Sequence, residues 1–125
     1  MGCKKILVVD DSQVVLMKSR MILGGRYEPV FATDGEEAVE KALEENPDLI
    51  LMDVVMPKMD GFEACRSIRA NPDTNGIPII MVTTRGEPVN VEMGYASGCN
   101  DYITKPIDGA ELLRKLENLL EKTDG

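Results

Sequence analysis

The chain has 125 residues and a mass of 13.7 kDa, which is the length of one domain and leaves no room for a second. Hydrophobic residues at 43% and charged residues at 29% are proportions of a globular protein, so a disordered or collagen-like chain is excluded. Lys and Arg total 14 against 22 Asp and Glu, and the formal charge of −8 disfavours direct binding to nucleic acid.

The composition also excludes several classes of chemistry and of location. Because the chain has no His, it cannot carry a Ser-His-Asp triad, a His-ligated zinc or an imidazole base. The 3 cysteines lack C-x-x-C spacing, so we expect reduced thiols. No apolar run approaches the ~20 residues of a membrane span, and Ile6 stands where a myristoylation pattern requires Ser or Thr. We therefore expect a cytoplasmic protein that does not bind membranes.

Short apolar runs alternate with amphipathic stretches in chain order. The first strand is expected at 6–9, and it is followed by a helix at 13–23, a weaker strand at 28–32 and a helix at 35–45. Next come a strand at 49–52, a helix at 61–70, a strand at 77–82, a short helix near 89–97, a weak strand at 102–104 and a helix at 108–122. We number these elements β1 to β5 and α1 to α5. Their alternation predicts a three-layer, doubly wound α/β domain over residues 1–125, with a five-stranded parallel sheet.

Polar side chains stand where four of these strands end. Asp10 and Asp11 follow β1, Asp53 follows β3, Thr83 follows β4 and Lys105 follows β5. Ligands of such sheets bind beyond the carboxyl ends of the strands, so these groups are expected to converge. Clustered carboxylates repel one another unless they bind a cation. Oxygen ligands without Cys or His favour Mg²⁺, for which Mn²⁺ can substitute.

Four motifs carry a resemblance to a known family. They are Asp10-Asp11, the segment DVVMPKMDG at 53–61, Val82-Thr83 and the segment YITKP at 102–106. In this order and spacing the chain resembles a response-regulator receiver domain of two-component signalling, of the single-domain chemotaxis type. The resemblance covers nearly the whole chain and implies the flavodoxin-like strand order 2-1-3-4-5.

The resemblance also implies roles for the residues at the strand ends. Asp53 would be the phosphoacceptor, which takes a phosphoryl group from a sensor histidine kinase. Asp11, Asp53 and the backbone carbonyl of Val55 would bind Mg²⁺, while Asp10 would orient a metal-bound water. Lys105 would offset the phosphoryl charge. The expected reactions are self-phosphorylation and self-dephosphorylation with Mg²⁺, and the chain is not expected to be an enzyme in any other sense.

Further residues are implied to transmit and time the signal. Thr83 and Tyr102 would form a switch that changes the face made by α4, β5 and α5, through which a downstream protein target would bind. Val55 and Arg85 would tune the phosphate lifetime, and the bond between Lys105 and Pro106 would be cis. We expect a monomer, with weak dimerisation allowed on phosphorylation.

Other functions fit the sequence less well. An aspartyl phosphohydrolase needs D-x-D-x-T after its first strand, a P-loop protein needs G-x-x-x-x-G-K-[ST], and a flavin carrier needs a Ser/Thr/Gly/Asn-rich phosphate loop there. The chain has none of these patterns. A receiver fold that binds partners without being phosphorylated stays open as the alternative.

Overall fold

The structure is a computed structural model that describes residues 3–84 and 88–124. Strands and helices alternate along it, as predicted. In chain order they are β1 (Lys4–Val9), α1 (Gln13–Leu23), β2 (Tyr27–Ala32), α2 (Gly35–Glu45), β3 (Leu49–Asp53), α3 (Gly61–Ala70), β4 (Ile79–Thr83), α4 (Pro88–Ser97), β5 (Asp101–Thr104) and α5 (Gly109–Asp124).

The strands form one sheet in the order β2-β1-β3-β4-β5, and each neighbouring pair is parallel. This confirms the expected flavodoxin-like architecture. Every residue of β3 and β4 is buried, because helices cover both faces of the sheet. One core packs α2 and α3 against one face, and a second core packs α1 and α5 against the other.

The predicted bounds of β4 were wrong at both ends. Ile77 belongs to a turn, in which its N–H donates to the carbonyl of Thr74, and Pro78 has no N–H to donate to a neighbouring strand. The strand therefore begins at Ile79, and it continues through Thr83, one residue beyond its apolar run.

Polar residues at the carboxyl edge of the sheet also start the helices. Ser12, Asp34 and Asp60 are the N-caps of α1, α2 and α3, and each side chain accepts a hydrogen bond from a backbone N–H in the first turn. Asp108 lies just before α5 and accepts from the N–H of Ala110. The connections that carry the candidate site residues are therefore held at their helix ends as well as at their strand ends.

Candidate functional site

Three carboxylates meet at the carboxyl ends of β1 and β3. Because these two strands are neighbours, Asp10, Asp11 and Asp53 come together, and one carboxylate oxygen from each lies within 4.8 Å of the others. Asp10 and Asp53 are 2% and 5% exposed, whereas Asp11 is exposed. The cluster predicted from the strand ends is therefore present, with two of its carboxylates buried.

Lys105 projects its ammonium into this cluster. Its Nζ lies 3.0 Å from Oδ2 of Asp10 and 3.3 Å from Oδ1 of Asp53. The N–H of Lys105 also donates to the carbonyl of Thr83 over 2.7 Å, which fixes the start of the β5–α5 connection against β4. The Lys105–Pro106 peptide bond is cis, as the family resemblance implied.

The charges in the cluster do not balance. Burial raises the pKa of Asp53 to about 6, and repulsion from Asp10 adds to this effect while Lys105 opposes it. Burial alone would lower the pKa of Lys105, but the hydrogen bond to Asp10 and the attraction of Asp53 outweigh it, so the pKa is raised. The ammonium therefore stays charged, and among the described residues the three carboxylates of the cluster outnumber it.

Thr83 ends β4 beside this cluster. Its side chain is 2% exposed, and its Oγ1 has no hydrogen-bond partner within residues 3–84 and 88–124. A buried hydroxyl without a partner is unfavourable by about 1–3 kcal/mol, so its presence calls for a functional reason. A ligand oxygen at the acidic cluster would supply the missing acceptor.

Two glycines fix the β3–α3 connection that follows Asp53. A Cβ on Gly61 would collide with the carbonyl of Asp53, and a Cβ on Gly35 would collide with the carbonyl of Met59. The N–H of Gly61 also donates to the carbonyl of Val54 over 2.8 Å. Val55 lies in this connection, two residues after Asp53, and is 74% exposed.

The remaining predicted site residues lie elsewhere. Tyr102 is half-buried in β5, and Arg85 lies outside the described residues. Sequence reasoning missed Lys115 of α5, whose Nζ contacts Asp101 and Tyr102. A lysine within an amphipathic helix gives no signal of such a contact, because the contact depends on how α5 packs beside β5.

The fold and the site define a flavodoxin-like α/β protein with an acidic, lysine-containing cleft at the carboxyl edge of its sheet. Residues 6–117 match the response regulator receiver domain family, and the chain belongs to that family.

Relatives show two arrangements of this domain. The chain is 39% identical to the alkaline phosphatase synthesis transcriptional regulatory protein PhoP of Bacillus subtilis, with 97% of the chain aligned to 50% of that protein. It therefore spans about half the length of that regulator. It is also 37% identical to the protein PilH of Pseudomonas aeruginosa, and there the match covers 93% of the chain and 97% of PilH.

A solved structure is similar over nearly the whole domain. It is the receiver domain of the sensor histidine kinase PA1611 from Pseudomonas aeruginosa, with a TM-score of 0.90, 34% identity and coverage of 96% of this chain and 99% of that one. That structure has a magnesium ion coordinated in its active-site cleft. Receiver domains bind Mg²⁺ at an acidic pocket, and the donor set of Asp10, Asp11 and Asp53 fits such an ion. In the part of this chain that the structure describes, no helix is both long and apolar enough to cross a bilayer.

Proposed function

We propose that this chain is the phosphoacceptor of a two-component phosphorelay and that a sensor histidine kinase phosphorylates Asp53. The observation that carries the proposal is the convergence on Asp53. This carboxylate is buried at the end of β3, within reach of two further carboxylates and of the Lys105 ammonium. The alternative, a receiver fold that only binds partners, gives no reason to keep these charges together.

The reaction needs a nucleophile and a means of neutralising charge. An Oδ atom of Asp53 attacks the phosphorus of a phosphohistidine, the P–N bond breaks, and the imidazole leaves with the electron pair, so Asp53 becomes an acyl phosphate. Lys105 already contacts Asp53 and holds a positive charge beside the incoming phosphoryl oxygens. Thr83 supplies a hydroxyl that can donate to one of them.

Mg²⁺ is the cofactor that the acidic cluster supports, and we propose that Mn²⁺ can substitute. Asp11, Asp53 and the carbonyl of Val55 would hold the ion, and Asp10 would orient one of its waters. When bound, it supplies positive charge that offsets the carboxylates and the phosphoryl group. Asp10 is suited to an indirect role, because its oxygens already accept from the N–H of Ser12 and contact Lys105.

The exposed apolar face of α1 is the surface we propose for the phosphodonor. Val14, Met17 and Met21 are 76%, 65% and 77% exposed, and their spacing places them on one side of the helix. The helix begins at Gln13, two residues after Asp11, so the face continues directly from the acidic cluster. A kinase domain that brings phosphohistidine to Asp53 must cover the carboxyl edge of the sheet next to this face. Burial of the apolar side chains of α1 would then stabilise the complex.

The output and the lifetime of the signal involve the other side of the cluster. Thr83 and Tyr102 would relay phosphorylation to the face of α4, β5 and α5, where Met93 and Tyr95 are each 45% exposed. A downstream protein target would bind that face. Val55 follows Asp53 by two residues and has no hydrogen-bonding group in its side chain, and we propose that it slows hydrolysis together with Arg85. The proposal places the protein in the cytoplasm as a monomer that dimerises weakly at most when phosphorylated.

Labelling with a small phosphodonor tests the acceptor. Incubation with acetyl phosphate and Mg²⁺ should add one phosphoryl group to the wild type, measured by intact mass, and Asp53→Asn should remove the label because an amide forms no acyl phosphate. Asp60→Asn is the matched control, since Asn caps a helix as well as Asp and the label should persist. Labelling of the Asp53→Asn protein would refute the assignment, and an unlabelled wild type would favour the binding-only alternative.

A further inference from the structure

Lys115 reaches around the edge of the sheet. Its helix, α5, packs on the face of the sheet covered by α1, whereas Tyr102 packs against the core on the opposite face. Because β5 is an edge strand, its outer side is open, and Nζ of Lys115 donates there to the carbonyl of Tyr102 over 2.7 Å. The same Nζ lies 3.1 Å from Oδ1 of Asp101. One ammonium is thus fixed to two successive residues of β5.

The fixed ammonium also contacts the Tyr102 ring. Nζ of Lys115 lies 5.2 Å from the ring centroid, which is within the range of a cation–π interaction. The ring of Tyr95, on α4, meets the Tyr102 ring edge-on, with centroids 6.2 Å apart. The side chain of Lys115 is 19% exposed, so solvent screens these contacts only partly. The Tyr102 ring is therefore held from two helices, α4 and α5.

From these contacts we infer that Lys115 is a positioning residue that holds the Tyr102 ring in its half-buried place and so biases the switch toward the unphosphorylated state. This inference rests on the proposed function. Thr83 lies on β4, at the inner side of β5, whereas Nζ of Lys115 lies at the outer side. A ring that turns toward Thr83 therefore leaves the ammonium. A contact made in only one of two states shifts the equilibrium toward that state.

Two substitutions separate this role from a general effect of charge or stability. Lys115→Met removes the ammonium and keeps an unbranched apolar side chain, whereas Lys115→Arg keeps a cation and its donors. Lys18→Met removes one positive charge from an exposed position on α1 and serves as the matched control. The ring is observed by fluorine NMR of protein labelled with 3-fluorotyrosine, and Tyr102→Phe assigns its resonance among the 3 tyrosines.

The expected result has two parts. Without ligand, the Tyr102 resonance of Lys115→Met should lie part of the way toward the position that the wild type reaches with Mg²⁺ and beryllofluoride, which mimics a phosphoryl group. Beryllofluoride should bind that variant about threefold to tenfold more tightly, as expected for the loss of a partly exposed cation–π contact. Lys115→Arg and Lys18→Met should match the wild type in both measurements.

Two outcomes would overturn the inference. One is a Lys115→Met protein with wild-type resonance and affinity. The other is a Tyr102 chemical shift that falls outside the interval between the two wild-type values while the beryllofluoride affinity stays constant. A wild type that binds no beryllofluoride would refute the phosphoacceptor assignment and the switch role with it. The ring resonance without ligand would still decide separately whether Lys115 holds the ring.

Discussion

Three buried polar side chains illustrate how differently this fold treats such groups at the scale of single residues. Asp53 is surrounded by charges. Among the described residues, the hydroxyl of Thr83 has no partner beside that cluster, and the hydroxyl of Ser19 has none in the core under α1. Burial of an uncompensated polar group reduces stability, and it persists where function requires it. The first two lie at the proposed site, whereas the third has no evident use, and this difference leads to opposite expectations for their replacement.

The burial of Asp53 predicts a pH-dependent stability of the metal-free protein. Its pKa is about 6 in the folded state against 3.8 as the ordinary value, so the folded chain binds the proton more tightly than the unfolded chain. The carboxylate therefore destabilises the fold above pH 6, and the effect fades as pH falls from 6 toward 4. Asp53→Asn should raise the free energy of unfolding at pH 7.5 by up to roughly 3 kcal/mol, and by much less at pH 4.5. Lys105 keeps Asp10 as a partner in that variant.

Urea unfolding of both proteins in a metal chelator measures this difference at the two pH values. Groups distant from the cluster titrate equally in the two proteins, so the comparison reports on Asp53 together with the two charges coupled to it, Asp10 and Lys105. An equal gain at both pH values would show that the carboxylate is not the source of the destabilisation.

Replacement of Ser19 should stabilise the fold. This side chain is fully buried on α1, and its Oγ has no partner within the described residues. Ser19→Ala removes the unsatisfied hydroxyl and favours the helix, for an expected gain of about 1–2 kcal/mol in the free energy of unfolding. Ser97→Ala is the matched control. Oγ of Ser97 donates to the carbonyl of Met93 over 2.7 Å, so the loss of this hydrogen bond should lower the free energy of unfolding. If Ser19→Ala loses stability as Ser97→Ala does, Ser19 has a partner after all.

At the scale of elements, hydrophobic periodicity accounts for most of what the sequence predicted. The bounds of α1, α2 and α3 were correct, because amphipathic spacing is a local signal. The convergence of Asp10, Asp11 and Asp53 was also predictable, since it follows from strand ends in a parallel sheet. Two features were not predictable, because both depend on the approach of elements distant in sequence. They are the collision that excludes a side chain at Gly35 and the contact of Lys115 with Tyr102.

The apolar face of α1 predicts a selective defect in phosphotransfer. Met17 is 65% exposed at the middle of that face, so Met17→Glu should leave the fold intact and place a charge in the proposed contact with the kinase. Transfer from an autophosphorylated histidine kinase that labels the wild type should fall about tenfold or more, as expected for a central interface residue. Labelling by acetyl phosphate should not change, because that donor needs no protein contact.

Leu43→Glu is the matched control for this experiment. Leu43 is 47% exposed on α2, and its replacement should leave both reactions unaffected. Equal loss of both reactions in Met17→Glu would point to a damaged site, and no loss of either would place the kinase elsewhere.

Over the whole molecule, the order of the strands places the steps of the proposed signal side by side. The proposed acceptor Asp53 ends β3, Thr83 ends the adjacent β4, and Tyr102 lies on β5, where its register partner is Met81 of β4. A path from Asp53 to the proposed output face therefore crosses only neighbouring strands. The helix on that path is α4, which contains Gly94. Glycine within a helix lowers its stability by about 1 kcal/mol, so rearrangement of this helix should be easy compared with the buried strands.

This arrangement predicts that Thr83→Ala separates phosphorylation from its transmission. The variant keeps Asp53, the acidic cluster and Lys105, so it should bind Mg²⁺ and beryllofluoride. It lacks the hydroxyl that gains an acceptor when a phosphoryl group is present, and a ligand shifts an equilibrium only through contacts that differ between the two states. Amide NMR spectra of both proteins, with and without beryllofluoride, should therefore show matching shifts around Asp53 but a much smaller change on α4, β5 and α5 in the variant. The full wild-type pattern of shifts on that face in the variant would show that Thr83 does not couple the acceptor to Tyr102.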